Sequence, residues 1–347
     1  MTPSPDFPLS QGESSGEATS PGRAATKTGA DPAPAPDESR ATPSPTVGDR
    51  LELLVVRAAL AVFGALPRRW VFQLGAWIGD LFYLLDRRDR HIGLVNLGIA
   101  FPDKSPAEHR ALLRASVRNL GRTAAEICHF GELSAVTVRD YVTVDDPTRW
   151  QATLDAAAQR GTLILTGHFG NFELLAYAHG LLGHPITLVH RPMNNALVDK
   201  AITDLRERAG TVSLPKKSAA KAALRALHRR QIVAIPADQN QTRRYGVFAD
   251  LFGLPASTTP GPARLAMLSG APVVPVFLVR EGDSDQHRIV VLPTVEMVKT
   301  ADRDADIVEN TRRCNVVFEE MLGRYPEQWI WFHKRWKTRP IGDPRIY

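Results

Sequence analysis

Apolar positions begin to dominate the chain at Leu51. Leu51–Leu66 reads LELLVVRAALAVFGAL and Trp70–Leu85 reads WVFQLGAWIGDLFYLL, two hydrophobic helical stretches split by Pro67-Arg68-Arg69. Neither supplies the ~20 uninterrupted apolar residues of a comfortable bilayer span. Arg57 interrupts the first, and Gln73 and Asp80 interrupt the second. Two readings stay open, a hairpin buried in a core and an anchor dipping into a membrane. Trp70 and Trp77, with Arg68, Arg69, Arg87 and Arg88 beside them, support the anchor, because a bilayer boundary selects aromatic and basic residues together.

Further along, the pattern predicts helix, break and helix over residues 87–131. Phe101-Pro102-Asp103 ends the first, and Ser105-Pro106 opens the second with a hydroxyl cap and Pro in the first turn. A short strand at Tyr141–Val144 and a helix at Thr148–Gln159 follow. Strand and helix then alternate: strands at Thr162–Leu165, Ile186–Val189, Thr211–Leu214 and Ile232–Ile235, helices at Phe172–Leu182, Ala196–Arg208 and Ser218–Arg229. After a long loop between Pro236 and Thr259, the pattern predicts a helix at Pro260–Leu268. Strands follow at Val273–Val279 and His287–Leu292, and a long helix at Asp304–Leu322. Such alternation predicts an α/β fold, a sheet covered by helices.

Composition sets the first fifty residues apart. They are rich in Pro, Ser, Thr, Ala and Gly, with Phe7 as their one aromatic. Such a segment cannot bury enough apolar surface to offset its ordering entropy, so residues 1–50 are expected to be a disordered tail. No apolar stretch follows a basic start there, which argues against a signal peptide. The chain divides into this tail, the hydrophobic helices of residues 51–86, and a body of residues 87–347. The tail holds seven acids and four bases; with a formal charge of +6 for the whole chain, about +9 falls on the remainder. A basic body suits an anionic partner, whether membrane surface, nucleic acid, acidic substrate or carrier protein. Two cysteines, Cys128 and Cys314, exclude a disulfide framework.

Candidate chemistry centres on Thr162–Leu175, TLILTGHFGNFELL. His168 stands past the carboxyl end of a predicted buried strand, where open α/β sheets place their ligands. Gly167 and Gly170 flank it, and Asn171 is a credible cap for the next helix, which puts Glu173 in that helix's first turn. Five residues along one helix would separate two side chains by about 140°. His168 and Glu173 therefore meet only if His168 lies off the helix and folds back. An imidazole oriented by a carboxylate is a competent base for a hydroxyl; a turn-capping His and a helix-start acid is the alternative.

Other chemistries find no pattern. Gly-x-Ser-x-Gly, the P-loop, Gly-x-Gly-x-x-Gly and His-Glu-x-x-His are absent. One His and one Glu are too few for a zinc site, so no metal is expected. Cys128-His129 reads as core. The aromatic and basic run Trp331–Lys337 fits nucleic acid or, more simply, a footing on a membrane surface beside the N-terminal helices.

His-x4-Glu within TGHFGNFEL resembles the His-x4-Asp/Glu motif of glycerolipid acyltransferases. More narrowly, the chain resembles the bacterial lipid A late acyltransferases, the lauroyl and myristoyl transferases. The resemblance runs over about residues 85–340, through RHIGLVNLGIAFPDKS, TGHFGNFEL, RPMNNALVDKAITDLR, IPADQ, ASTTPGPARLA, APVVPVF and PEQWIWFHKRWKTRP in order. It implies a mixed sheet covered by helices and an acyltransferase domain over 87–347. The enzyme would sit on the cytoplasmic face of the inner membrane. It would move an acyl group from an acyl carrier protein or coenzyme A thioester to a lipid hydroxyl. It implies no cofactor beyond that donor, and no nucleic-acid partner.

Under this resemblance His168 takes the acceptor's proton while Glu173 orients the imidazole. Arg191, with Asn195 as its helper, is the candidate oxyanion donor. Asp238 and Gln239 follow a strand at the same sheet edge, and a buried Asp238 is expected to anchor Arg191 or shape the pocket, or else to make an Asx turn. Thr259 and Gly261 open a helix whose start suits an anion, and Arg264, one turn in, is a candidate for a phosphate of the acceptor. Phe172 stands where the lipid A enzymes usually carry Trp. The acceptor is left open: a lipid A precursor, a phosphatidylinositol mannoside, an ornithine lipid or another lysolipid would use the same chemistry. Two other classes remain, a non-catalytic basic membrane- or RNA-binding scaffold and a hydrolase using the same pair.

Overall fold

A computed structural model describes residues 45–216 and 219–347. The tail expected over residues 1–50 lies outside the described residues as far as residue 44. Thr46 and Asp49 form a reciprocal capping box, so α1 spans Val47–Gly64 and starts four residues before the apolar run. Its side chains include no buried residue. α2, Arg68–Leu85, differs. It buries Val71, Phe72, Gly75, Ala76 and Gly79 and leaves Trp70, Trp77, Ile78, Leu81, Leu84 and Leu85 exposed. After α3, Arg87–Ala100, Ser105 and Glu108 cap α4, Pro106–Glu126, with Pro106 in its first turn as the sequence predicts.

Gly75 and Gly79 let α2 lie against α4. A Cβ on either would come 2.6 Å from a carbonyl oxygen of α4, at Gly121 and Val117 respectively. Asp80, polar in an apolar stretch, is explained by its ion pairs with Arg114 and Arg118 of α4. The hairpin is thus neither wholly core nor wholly free. One face of α2 belongs to the body, and the other is apolar and uncovered by any described residue. No helix among the described residues is long and apolar enough to cross a membrane.

The alternation that follows appears in the predicted order. It runs β1 (Val142–Val144), α5 (Pro147–Arg160), β2 (Thr162–Thr166), α6 (Phe172–Leu181), β3 (Ile186–His190), α7 (Ala196–Arg208), β4 (Val212–Pro215), α8 (Ala219–His228) and β5 (Ile232–Pro236). The stretch expected as a loop contains a two-stranded hairpin, β6 (Val247–Leu251) and β7 (Leu254–Thr258). Its turn is built on Phe252 and Gly253, both at positive φ (51° and 71°), the geometry of a primed hairpin turn. Phe in place of the usual Asn hid that turn, and the strands lack a clean apolar–polar alternation. α9 (Gly261–Ser269), β8 (Val273–Arg280), β9 (His287–Val291) and α10 (Arg303–Arg324) complete the body.

Seven strands form one sheet in the order β1-β9-β8-β2-β5-β3-β4. β8, β2, β5, β3 and β4 run parallel; β9 is antiparallel to β8 and parallel to β1, so the sheet is mixed. Alternate residues feed two cores on opposite faces. Leu163, Leu165, Val233, Ile235, Val273 and Phe277 meet the residues of α4, α8, α9 and α10, while Ile164, Ala234, Val274 and Val276 meet those of α5 and α6. Burial on both faces is why TLIL is a continuous apolar run rather than an alternating one. β2 and β5 end in register, Thr166 beside Pro236. Residues just beyond them therefore share one edge.

The run Trp331–Lys337 corrects an expectation. Trp331, Arg335 and Trp336 are fully buried. Asn96 of α3 donates to the carbonyls of Trp331 (2.5 Å) and His333 (2.7 Å), and Arg335 donates to Ser257 O (3.1 Å) and Thr258 Oγ1 (2.6 Å). Its aromatics are spent in the core, so the segment is an internal strap and not a footing on a membrane.

Candidate active site

β2 ends at Thr166, and Gly167 begins the turn because a Cβ there would stand 2.9 Å from both Asp238 Cγ and Phe318 Cε1. The chain doubles back through His168 and Phe169. Gly170 adopts φ +56°, and a Cβ on it would overlap the Leu278 carbonyl oxygen of β8, so only glycine fits. Asn171 caps α6 by accepting from Leu174 N at 3.0 Å. His168 is therefore off the helix, the condition set for a meeting with Glu173, yet the two side chains do not meet.

The partner of His168 is Asp238. His168 Nδ1 lies 3.0 Å from Asp238 Oδ1, and the His168 backbone N–H donates to Oδ2, also at 3.0 Å. Trp329 Nε1 donates to the same Oδ2 at 2.8 Å. Asp238 is buried, while the imidazole keeps 29 % side-chain exposure. Burial works to raise the Asp238 pKa, but the charge and hydrogen bonds of His168 and the bond from Trp329 outweigh it and hold the carboxyl well below its ordinary range. For His168, burial works downward, and the Asp238 charge and hydrogen bond overcome it, so its pKa is raised. With a carboxylate on Nδ1, the ring carries its proton there and turns Nε2 outward as a proton acceptor. Gln239 Nε2 lies 3.3 Å from His168 Nε2, and the Phe172 ring meets the imidazole edge-on at 5.0 Å between centroids.

Glu173 is placed differently from the expectation. Both of its oxygens are taken by Arg206 of α7, which donates from Nη2 at 2.6 Å and Nε at 2.9 Å. It acts on the imidazole only through space, where its charge adds to the upward shift. Both carboxylates therefore bear on His168, one by contact and one at a distance. Spacing along the chain pointed to Glu173; a contact seventy residues away between two loop positions had no local signal. The order of the family blocks placed Asp238 at the right edge without pairing it.

Asp238 is committed to His168 and Trp329, and it is not an anchor for Arg191. Arg191 is exposed just past β3. Its charge, after the larger effect of burial, helps lower the pKa of Lys216. Asn195 does not serve Arg191. It caps α7 through Leu197 N (2.9 Å) and donates to Asp49 O (3.0 Å) and Glu52 Oε2 (2.8 Å), clasping α1 to α7. Thr259 Oγ1 accepts from Gly261 N at 3.3 Å, a local cap. Arg264 is exposed and lines a separate open cavity of about 820 Å³ with Met267, Leu268, Asp302, Arg303 and Ile307, none of them in contact with the imidazole. Two residues that reasoning from sequence did not single out are Trp329 and Arg206, although both sit inside the blocks that carried the resemblance. His129, buried and 2.9 Å from Glu132, is structural. The described residues contain no group of three or more His, Cys, Asp and Glu that could hold a metal.

Comparison with known proteins shows the family of the chain. Residues 50–338 match the family model described as bacterial lipid A biosynthesis acyltransferase. The chain is 30% identical over 285 residues to the lipid A biosynthesis lauroyltransferase of Escherichia coli K12, covering 81% of this chain and 90% of that protein. It is 28% identical over 283 residues to the palmitoleoyltransferase of the same organism (81% and 90%) and 24% identical over 294 residues to its myristoyltransferase (84% and 88%).

Proposed function

The chain belongs to the bacterial lipid A biosynthesis acyltransferases, and from that premise we propose that it moves a fatty acyl group from a thioester to a hydroxyl of a lipid A precursor, with His168 as the base. The observation that carries the catalytic reading is the His168 Nδ1–Asp238 pair at 3.0 Å beneath a part-exposed ring. Asp238 fixes the tautomer. Nε2 takes the acceptor's hydroxyl proton as the oxygen attacks the thioester carbonyl. The tetrahedral oxyanion collapses, the C–S bond breaks, and the leaving thiolate recovers the proton from Nε2. Phe172 and Gln239 border the ring where an incoming hydroxyl would displace the long Gln239 contact. Arg191 and Lys216 place positive charge near this edge, which suits the phosphates of a lipid acceptor or of a thioester carrier.

Purified full-length protein, mixed with a lipid A precursor and either acyl carrier protein or coenzyme A thioesters, tests this. Transfer lost in His168→Ala is the expected result. A wild-type protein that only releases free fatty acid, at equal rates with and without acceptor, would replace the reading with hydrolysis. No acylated lipid and no thioester turnover would leave a non-catalytic scaffold.

The second part of the reading is that α1 and α2 rest on a membrane, with the chain on the cytoplasmic face of the inner membrane. Support comes from the apolar face of Leu51, Leu54, Val55, Trp77, Leu81 and Leu85 and the exposed Arg69, Arg87 and Arg88. Co-sedimentation with anionic vesicles, reversed by salt only in part, is expected.

A further inference from the structure

Behind the His168 turn lies a charged cluster that the transfer chemistry does not use. Glu126, the last residue of α4, and Arg280, the last of β8, are both buried. Arg280 Nη1 donates to Glu126 Oε1 at 2.5 Å, and Nη2 donates to Oε2 at 2.8 Å. Arg280 Nε also donates to Asn119 Oδ1 at 2.7 Å, and His287 Nε2 stands 3.6 Å from Glu126 Oε2. Two desolvated charges are costly, and packed apolar residues of like volume are often as stable. Stability alone is a weak reason to keep such a pair here.

Its outward contacts supply another reason. Glu126 Oε2 accepts from Asn171 Nδ2 at 2.6 Å, so the residue that caps α6 is held from behind. Gln328 reads the Arg280 backbone in both directions, donating to its carbonyl at 2.9 Å and accepting from its N–H at 2.8 Å. The Gln328 carbonyl then accepts from Gly170 N at 2.7 Å. Thr123 of α4 donates to Gly170 O at 3.3 Å. Three separate groups around the Glu126–Arg280 pair thus clamp the Gly170-Asn171 peptide, two to three residues after His168. Trp329, which fixes Asp238, follows Gln328 directly.

We propose that Glu126, through Asn171 and backed by Arg280, is a positioning residue that holds the His168 turn in register with Asp238. It touches no substrate. The inference rests on His168 being the base of the transfer reaction. A hydrogen bond donated by the turn to a rigid, ion-paired carboxylate leaves the imidazole little freedom, and misplacement of a catalytic group by about 1 Å can cost ~10²-fold in rate.

Reversing the polarity of the Glu126–Asn171 bond tests this. Asn171→Asp keeps the cap on Leu174 but sets a carboxylate against Glu126. The expected result is a kcat lower by about 30- to 100-fold, with KM for both substrates within about threefold of wild type, on the scale given for misplacement. Adding Glu126→Gln to that variant removes the facing carboxylate and returns the net charge of the cluster to its wild-type value, with the introduced carboxylate left beside Arg280, and kcat is expected to recover by at least ~10-fold. Asn171→Ser, which retains a good cap but is too short to reach Glu126, serves if Asn171→Asp is unfolded; a tenfold or so lower kcat in a folded protein of modestly lower melting temperature is expected. The downfield proton resonance of His168 Nδ1 gives a readout apart from turnover. It should broaden or shift in the single variants and return in the double.

Folded single variants with wild-type kcat and an unmoved His168 resonance would overturn the inference. So would a double variant that regains melting temperature without regaining kcat. Failure of the catalytic reading looks different: there His168→Ala itself would leave transfer intact.

Discussion

The turn at 166–171 and the α1–α2 hairpin both use glycine to bring backbones together, yet they end in opposite states. At the turn, close approach is followed by polar closure: Gly170 and Asn171 are held by hydrogen bonds with Thr123 and Glu126 of α4 and with the Gln328 segment. At the hairpin, Gly75 and Gly79 seat α2 on α4, and the outer face is left as exposed Trp, Leu and Ile. One region spends its interactions on a single geometry for one side chain. The other keeps apolar area unspent. Direction is what a proton transfer needs, and area is what adsorption to a lipid surface needs. The division of labour suits the proposed transfer to a lipid hydroxyl at a membrane surface.

The most severe break of this contrast is at the imidazole. His168→Ala is expected to lower transfer by about 10⁴-fold or below detection, the upper range for loss of a general base. Its melting temperature should fall, because Asp238 keeps a buried charge without the imidazole, and circular dichroism then shows whether the variant is still folded. Retained transfer with a folded protein would remove the turn from the chemistry.

Asp238→Asn comes next. It keeps the shape but removes the charge that raises the His168 pKa and disturbs the bonds from His168 and Trp329. A loss of about 10²- to 10³-fold is expected, within the general-base range. The base must be neutral, so wild-type kcat should rise through a pH above the ordinary imidazole value of about 6.5. In Asp238→Asn that rise should move to lower pH. Stability runs the other way. The raised His168 pKa contributes stability below ~6.5 that is lost as pH climbs through the folded value. The lowered Asp238 pKa contributes above ~3.9 and is lost in acid. The pair therefore stabilises the fold most in mildly acid solution and works as a base only above it.

Glu173→Gln sharpens the assignment between the two carboxylates. If Glu173 acted by contact, this change would match Asp238→Asn in both rate and pH shift. With Glu173 bound to Arg206 and acting at a distance, a smaller loss and a smaller pH shift than in Asp238→Asn are expected. Steady-state pH profiles of the two variants separate the cases.

What the sequence disclosed follows from the same distinction. The strand–helix order was legible because each element carries its own periodicity or cap: Ser105 with Glu108, Asn171 before α6, the doubly buried TLIL. The turn that carries His168 was legible because two glycines and a cap flank it within a few residues. The carboxylate on Nδ1 was not, since Asp238 joins His168 only when β2 and β5 end in register. Trp331 and Trp336 misled for a related reason: an aromatic–basic run looks the same on a surface as in a core until the sheet beneath it is known. Arg264 lines an open cavity with Asp302 and Arg303, a setting that a helix start alone does not foretell.

The smallest effect is expected at the hairpin, and it tests the contrast from the other side. Trp77 and Leu81 are 59% and 53% exposed on the outer face of α2. Trp77→Ser with Leu81→Ser removes apolar surface of which more than half lies open, so folding should be only slightly weakened. On a membrane the same change removes buried area worth about 1.5–3 kcal/mol per fully inserted side chain. Partial insertion of both should weaken binding to anionic vesicles about tenfold, or ~1.4 kcal/mol. With detergent-dispersed lipid, kcat should match wild type, because no contact links these side chains to the His168 turn. With acceptor embedded in vesicles, turnover at limiting lipid should fall in proportion to the bound fraction. If kcat in detergent also fell, the outer face of α2 would be part of the catalytic geometry rather than unspent area. If neither binding nor turnover moved, that face would not be where the protein meets lipid.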